Sequence, residues 1–279
     1  MRKRVMHGPL FLKAAAVLLC GIFLAPAVPE AQAPARDITI EAMRSEKRVA
    51  LVIGNGAYRS APLRNPVNDA RAMTKALRET GFEVLLVENQ DFKGLKTAII
   101  EFGDRLAAGG VGLFYYAGHG IQVRGKNYLI PTDAQIRSER FVEVEALDVT
   151  SVLTQMEEAK TRLNLVILDA CRDNPFQSAW RSTARGLTPV DAPAGTLLAY
   201  ATAPGKLAAD GEGLNSLYTG ELLKAMQVPG LKIEEVFKQV SQAVQQQTRG
   251  QQIPWISSSR KIRTSSLFSS LIRSMGMNQ

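Results

Sequence analysis

Residues 111–120 read VGLFYYAGHG, and this stretch decides the fold. Its first six residues are apolar or aromatic without a polar alternation, which predicts a strand buried on both faces of a parallel sheet. Similar runs are RVALVIG at 48–54, FEVLLV at 82–87, LNLVIL at 163–168 and GTLLAY at 195–200. Each of these runs is also predicted to be a buried strand.

Helical patterns separate these runs. Residues 67–80 place Ala70, Met73 and Leu77 at helical spacing and end before Gly81, which is typical of a helix. Further helices are predicted at 95–107, 148–159, 215–226 and 232–248, with a hairpin at 121–131 and a last short strand near 252–256. Because strands and helices alternate, we expect an α/β fold: a mostly parallel central sheet of about six strands with helices on both faces.

Two residues with reactive side chains follow predicted strands. Outside residues 1–35 the chain has one histidine, His119, and one cysteine, Cys171. Both should lie at the carboxyl edge of the sheet, where open α/β folds bind their ligands. A thiol with a pKa of about 8.5 is mostly protonated at neutral pH, so a neighbouring imidazole is the expected activator. A buried cysteine and a structural histidine are the alternative on residue type alone.

The motifs GHG at 118–120 and DAC at 169–171 together resemble the caspase-like cysteine peptidases, and within them the bacterial metacaspase-like branch. His119 precedes Cys171 by 52 residues, close to the spacing of about 50 in caspases. The resemblance covers residues 47–256. It implies a caspase-like three-layer sandwich and a cysteine-type endopeptidase that acts on polypeptides without a cofactor.

The resemblance also implies roles for single residues. Cys171 would attack the scissile carbonyl and His119 would transfer the proton, while the backbone N–H groups of Gly120 and Cys171 would form the oxyanion hole. Residues 54–66 are interpreted as a loop on the substrate side.

Two acids are candidates for substrate binding. Asp169 precedes Cys171 by two strand positions, so both residues should face the same side. The family resemblance gives Asp69 as the second acid. Two carboxylates in one pocket favour Arg or Lys at P1, the residue on the amino side of the cleaved bond. The alternative makes Asp169 an orienting partner of His119 or a structural acid held by backbone N–H groups.

The sequence predicts several segments around this domain. They are a signal peptide at 1–35, a linker at 36–46, a caspase-like peptidase domain at 47–256 and a basic Ser-rich tail at 257–279. Within the domain we expect a large-subunit-like part at 47–171, an exposed loop at 172–194 and a small-subunit-like part at 195–256. The basic residues and the apolar run at 14–24 predict export to the periplasm or the exterior. An uncleaved N-terminal anchor is the alternative; after signal removal we expect no stable membrane insertion.

The net charge of +8 does not predict nucleic-acid binding, because of where the charge lies. Residues 36–256 carry 26 basic and 25 acidic side chains, so the central part is nearly neutral. Such a surface lacks the basic face that phosphate binding requires. The chain also has no CxxC motif and no histidine cluster, so no metal site is predicted.

Several alternatives stay open at this point. Arg181 and Arg185 in the loop at 172–194 are possible sites of autocleavage, and an uncut surface loop is the alternative. The function could also be that of a non-catalytic peptide-binding or scaffold module on the same fold, or of another thiol hydrolase such as a cell-wall amidase. The sequence predicts no oligomeric state.

Overall fold

The computed structural model describes residues 46–171, 187, 192–203 and 213–259. The strands in these ranges are β1 (Arg48–Gly54), β2 (Glu83–Glu88), β3 (Val111–Val123), β4 (Lys126–Leu129), β5 (Leu147–Asp148), β6 (Leu163–Cys171), β7 (Thr196–Tyr200) and β8 (Trp255–Ser258). The helices are α1 (Pro66–Glu79), α2 (Phe92–Arg105), α3 (Glu139–Glu145), α4 (Thr150–Glu158), α5 (Leu217–Met226) and α6 (Ile233–Gln247).

The main sheet has the strand order β2-β1-β3-β6-β7-β8. The first five strands are parallel to their neighbours, and β8 pairs with β7 in the antiparallel direction. Strands β4 and β5 form a small antiparallel extension beyond the carboxyl end of β1, on the end of β3. The prediction of a mostly parallel sheet of about six strands is therefore confirmed. Its two central strands, β3 and β6, are the ones that carry the GHG and DAC motifs.

Side chains of β3 alternate between two hydrophobic cores. Leu113 and Tyr115 point to the core that α1, α5 and α6 cover, whereas Phe114 and Tyr116 point to the core under α2 and α4. Since each strand residue contributes to one layer or the other, the sheet is buried on both faces, as its unbroken apolar runs require. The three-layer arrangement expected from the sequence is confirmed.

A close contact brings α1 to the carboxyl end of β1. A Cβ added to Gly54 would overlap the carbonyl oxygen of Pro66 and lie 2.7 Å from the Cβ of Ala70. Only glycine fits at this position without displacing the helix. The close packing places the first turn of α1, which includes Asp69, next to the edge of the sheet where β1 ends.

The structure differs from the predicted elements at several places. β3 runs to Val123 because its last residues stay paired with β6 and then with β4, and the predicted hairpin turns at Arg124 and Gly125, both with positive φ. Helix α3 was not predicted; it has seven residues, of which Val142 is buried. β8 ends at Ser258, so the predicted start of the tail at 257 falls inside a paired strand.

Some predicted segments lie outside the described residues. They are the signal peptide at 1–35, nearly all of the linker at 36–46 and most of the loop at 172–194, including Arg181 and Arg185. Among the residues that are described, no helix is both long enough and apolar enough to cross a membrane.

Candidate active site

The register of the two central strands brings the histidine and the cysteine together. His119 of β3 is paired with Cys171 of β6, and Ala117 is paired with Asp169 two positions earlier. Neighbouring strands lie about 4.8 Å apart, so the backbones at positions 119 and 171 are adjacent. By strand alternation these positions belong to the sheet face covered by α1, α5 and α6. The backbone thus meets the first requirement of the predicted His/Cys pair.

The loop after β1 orients the His119 ring. The ring nitrogen Nε2 lies 2.7 Å from the carbonyl oxygen of Ala61. Because a carbonyl oxygen only accepts, Nε2 carries the proton in the neutral imidazole, and Nδ1 is the nitrogen that can act as a base. The ring also packs on Tyr58, with 4.4 Å between the ring centroids, and His119 is only 4% exposed.

Two tyrosine hydroxyls hold the backbone of His119. The His119 N–H donates to Tyr58 Oη at 2.9 Å, and Tyr116 Oη donates to the His119 carbonyl at 2.8 Å. A Cβ at Gly118 would lie 2.6 Å from Tyr58 Oη and 2.7 Å from Tyr116 Oη. Position 118 must therefore be glycine, because the hydroxyls of the two tyrosines that hold the His119 backbone leave no space for a side chain there.

Sequence reasoning missed Tyr58, Tyr116 and Ala61 as supports of the histidine. The loop at 54–66, which the sequence predicts to lie on the substrate side, also supplies both the carbonyl and the ring that contact His119. The available signal is weak: Tyr58 is the single aromatic residue in the loop that follows the carboxyl end of a buried strand.

The two candidate acids are buried next to each other. Asp69 is 1% exposed and Asp169 is 7% exposed. Asp69 Oδ1 accepts hydrogen bonds from the side-chain amide of Asn215 at 2.8 Å and from the backbone N–H of Ser216 at 3.0 Å. The hydroxyl of Ser216 donates to Asp169 Oδ2. Since one residue donates to both acids, the structure brings the two carboxylates into one cluster.

The cluster continues into α5 and β3. Ser216 is the N-cap of α5, where its hydroxyl accepts the N–H of Thr219 at 3.1 Å. The Thr219 hydroxyl donates to Asp169 at 2.7 Å, so the hydroxyl of Tyr115, 2.6 Å from Thr219 Oγ1, must be the donor in that contact. Burial raises the pKa of Tyr115 well above its usual value, and the charges of Asp169 and Asp69 raise it further. This tyrosine therefore stays a donor at neutral pH.

The described residues contain no group of three or more histidine, cysteine, aspartate or glutamate side chains that could hold a metal ion. The acids of the cluster are instead surrounded by hydroxyl and amide donors. Hydrogen bonds of this kind stabilise the ionised form of a carboxylate.

Comparison with models of known families matches residues 47–264 to the caspase domain. The match covers well over half of the chain, and the chain belongs to this family. The resemblance predicted from the GHG and DAC motifs is therefore confirmed. Membership supports, in general terms, a cysteine-peptidase type of hydrolase that acts on polypeptides.

Two curated proteins are similar to part of the chain. The identity is 33% over 173 residues with mucosa-associated lymphoid tissue lymphoma translocation protein 1 of Homo sapiens. It is 34% over 164 residues with the homolog of that protein in Mus musculus. The alignments cover 61% and 58% of this chain but 20% and 19% of those proteins. The matched region therefore spans about a fifth of the length of either relative.

Proposed function

We propose that the chain is a cysteine endopeptidase in which His119 and Cys171 form the catalytic pair, and that it cleaves after Arg or Lys. The observation that carries the proposal is the pairing of His119 with Cys171 across the two central strands, together with the Ala61 carbonyl that holds Nε2 of the imidazole. This arrangement leaves proton transfer to Nδ1.

The reaction follows from these roles. His119 Nδ1 takes the thiol proton of Cys171, and the thiolate attacks the carbonyl carbon of the scissile bond. The imidazolium then gives its proton to the leaving amine, and the C–N bond breaks to leave a thioester. Water attacks this thioester, His119 takes a proton from the water, and the thiol leaves with that proton as the acid product is released. The Ala61 carbonyl stabilises the imidazolium that forms in both halves of the reaction.

The direction of the strand amides supports Gly120 as an oxyanion donor. The carbonyls of Ala117 and His119 accept hydrogen bonds from the backbone N–H groups of Asn55 and Ile130, on the β1 side of β3. Successive strand residues direct their backbone groups to opposite edges, so the Gly120 N–H is directed toward the β6 side. That is the side on which Cys171 ends its strand.

The acid cluster supports the preference for Arg or Lys. Asp69 and Asp169 lie on the same sheet face and at the same sheet edge as the His119–Cys171 pair. A guanidinium or ammonium group brought to two carboxylates forms charge-assisted hydrogen bonds, whereas an acidic P1 side chain is repelled. Export to the periplasm or the exterior, and autocleavage at Arg181 or Arg185, belong to the same proposal and rest on the sequence alone.

Fluorogenic peptides that differ only at P1, with Arg, Lys, citrulline or Asp, test the proposal. We expect turnover of the Arg and Lys peptides and its loss in Cys171→Ala. Asp169→Asn should lower kcat/KM for the Arg peptide at least about tenfold, since a charge-assisted hydrogen bond contributes about 1.5–3 kcal/mol. Asp104→Asn removes an exposed acid on α2 and serves as the matched control. Turnover that survives Cys171→Ala, or equal turnover of Arg and Asp peptides, contradicts the proposal.

A further inference from the structure

The N-terminal turn of α5 connects the two buried acids. Ser216 is 4% exposed and makes three hydrogen bonds: its N–H donates to Asp69, its hydroxyl donates to Asp169, and the same hydroxyl accepts the N–H of Thr219. The partners of Ser216 come from α1, β6 and α5.

We propose that Ser216 is a positioning residue that sets the spacing and orientation of Asp69 and Asp169 for a cationic P1 side chain. The inference rests on the proposed function and adds to it the residue that controls its specificity. The backbone N–H of Ser216 contacts Asp69 and its hydroxyl contacts Asp169, so one residue links the two carboxylates, and the side-chain torsion of Ser216 sets its contact with Asp169. That torsion is fixed because the hydroxyl must both accept from Thr219 and donate to Asp169.

The same turn offsets the repulsion between the acids. Two carboxylates in one buried cluster repel each other, which favours protonation of one of them. The cluster receives donors from Asn215, Ser216 and Thr219, and it lies at the N-terminus of the ten-residue helix α5. Donors and the positive end of a helix both stabilise negative charge. A cation therefore meets two carboxyl groups whose orientation is already fixed, and less ordering is needed on binding.

Substitutions at Ser216 separate its two donors. Ser216→Ala removes the bond to Asp169 and the cap of α5, but keeps the backbone N–H that binds Asp69. Ser216→Thr keeps the hydroxyl. Asp91→Ala is the matched control, because Asp91 caps α2 on the opposite face of the sheet by accepting the Gly94 N–H at 2.6 Å. It removes a cap without touching the acids.

The first measurement needs no turnover. Arginine amide is titrated by calorimetry into the full chain carrying Cys171→Ala, alone and combined with each substitution. We expect Ser216→Ala to raise the Kd about tenfold, Ser216→Thr to stay within about twofold of the parent, and Asp91→Ala to leave the Kd unchanged. In chains with Cys171 intact, Ser216→Ala should raise KM for the Arg peptide more than it lowers kcat, and should reduce the ratio of kcat/KM for Arg to that for citrulline.

The outcomes separate this inference from the proposed function. If Ser216→Ala lowers the melting temperature as Asp91→Ala does, but changes neither the Kd nor the Arg-to-citrulline ratio, Ser216 is only a helix cap and the inference is wrong. Binding of arginine amide that depends on Ser216, without any peptide turnover, keeps the inference and refutes the peptidase. A parent chain that neither binds arginine amide nor prefers Arg overturns both.

Discussion

Replacing Tyr58 with phenylalanine removes one oxygen from the support of the candidate base and keeps the ring. The Tyr58 hydroxyl accepts the His119 N–H at 2.9 Å, lies 3.1 Å from Tyr116 Oη and donates to the Ile130 carbonyl at 3.2 Å. Tyr58 and His119 are both buried. The substitution therefore takes away the hydroxyl that accepts a strand N–H without creating a large cavity.

The expected loss is larger than that of one ordinary hydrogen bond. Removing the acceptor of a buried N–H costs about 1–3 kcal/mol, compared with about 1 kcal/mol for the net value of a typical hydrogen bond. Tyr116→Phe should cost less, because the two carbonyls to which Tyr116 donates keep other donors. The His119 carbonyl still accepts the Ile130 N–H. The Ile130 carbonyl still accepts from Asn55 Nδ2 and from the Tyr58 hydroxyl. For a domain of this size, a loss of about 2 kcal/mol lowers the melting temperature by roughly 4–8 °C.

Urea unfolding of the parent and both variants measures these differences. We expect the free energy of unfolding to fall more for Tyr58→Phe than for Tyr116→Phe. The effects should be non-additive in the double variant because the two hydroxyls are in contact. In the peptide assay, Tyr58→Phe should lower kcat with little change in KM, since the acids proposed to bind the substrate, Asp69 and Asp169, lie elsewhere. A Tyr58→Phe chain within about 0.5 kcal/mol of the parent, or one less affected than Tyr116→Phe, refutes the reasoning.

Two further predictions concern backbone space and pH. Gly118→Ala should destabilise the chain by about 1–3 kcal/mol and reduce turnover, because the new Cβ would meet both tyrosine hydroxyls. Gly220 lies in α5, and a Cβ added there would have no heavy atom within 4 Å, so Gly220→Ala should stabilise the chain by up to about 1 kcal/mol. Denaturant unfolding measures both variants, and destabilisation by Gly220→Ala as well as by Gly118→Ala contradicts the prediction. Burial raises the pKa of Glu221, but hydrogen bonds from Lys224 and Gln247 outweigh it, so the folded pKa lies below the unfolded value. Its stabilising contribution is thus present above the unfolded pKa and lost as the pH falls through the folded pKa. As the pH is lowered, the free energy of unfolding should fall less in Glu221→Gln than in the parent chain. An equal fall in both chains contradicts the assignment.

The strands could be predicted because their signal is local. Runs such as VGLFYY are apolar on both faces, and only a sheet between two helical layers buries such a strand completely. The continuation of β3 through AGHG was not predicted, since two glycines and a histidine do not look like strand. It forms because pairing with Cys171 and Leu129 holds the backbone extended. At residues 117–120, pairing with neighbouring strands therefore overrides the low strand propensity of the sequence, and this is where the candidate catalytic histidine lies.

The candidate site could be predicted only in part. His119 and Cys171 were found because their residue types are scarce and follow strands, and Asp169 because it lies two strand positions before Cys171. Ser216 could not be found, since it is 147 residues from Asp69 in sequence and becomes its neighbour only when α5 packs against α1. No local pattern distinguishes it from any other serine before a helix.

The two supports of the site come from different parts of the chain, and this separation has a functional consequence. The base is held by the loop after β1, within the predicted large-subunit-like part, whereas the acids are held by α5, within the predicted small-subunit-like part. In sequence, β6 precedes the loop at 172–194 and β7 follows it, and the two strands are neighbours in the sheet. Asp169 of β6 also accepts hydrogen bonds from Ser216 and Thr219, which follow the loop in sequence. A cut in that loop would therefore leave both parts joined by a parallel ladder and by the hydrogen bonds of the acid cluster. In the proposed function the proton passes through His119 while the P1 cation meets Asp69 and Asp169, so changes to the first support should act on the chemical step and changes to the second on substrate choice.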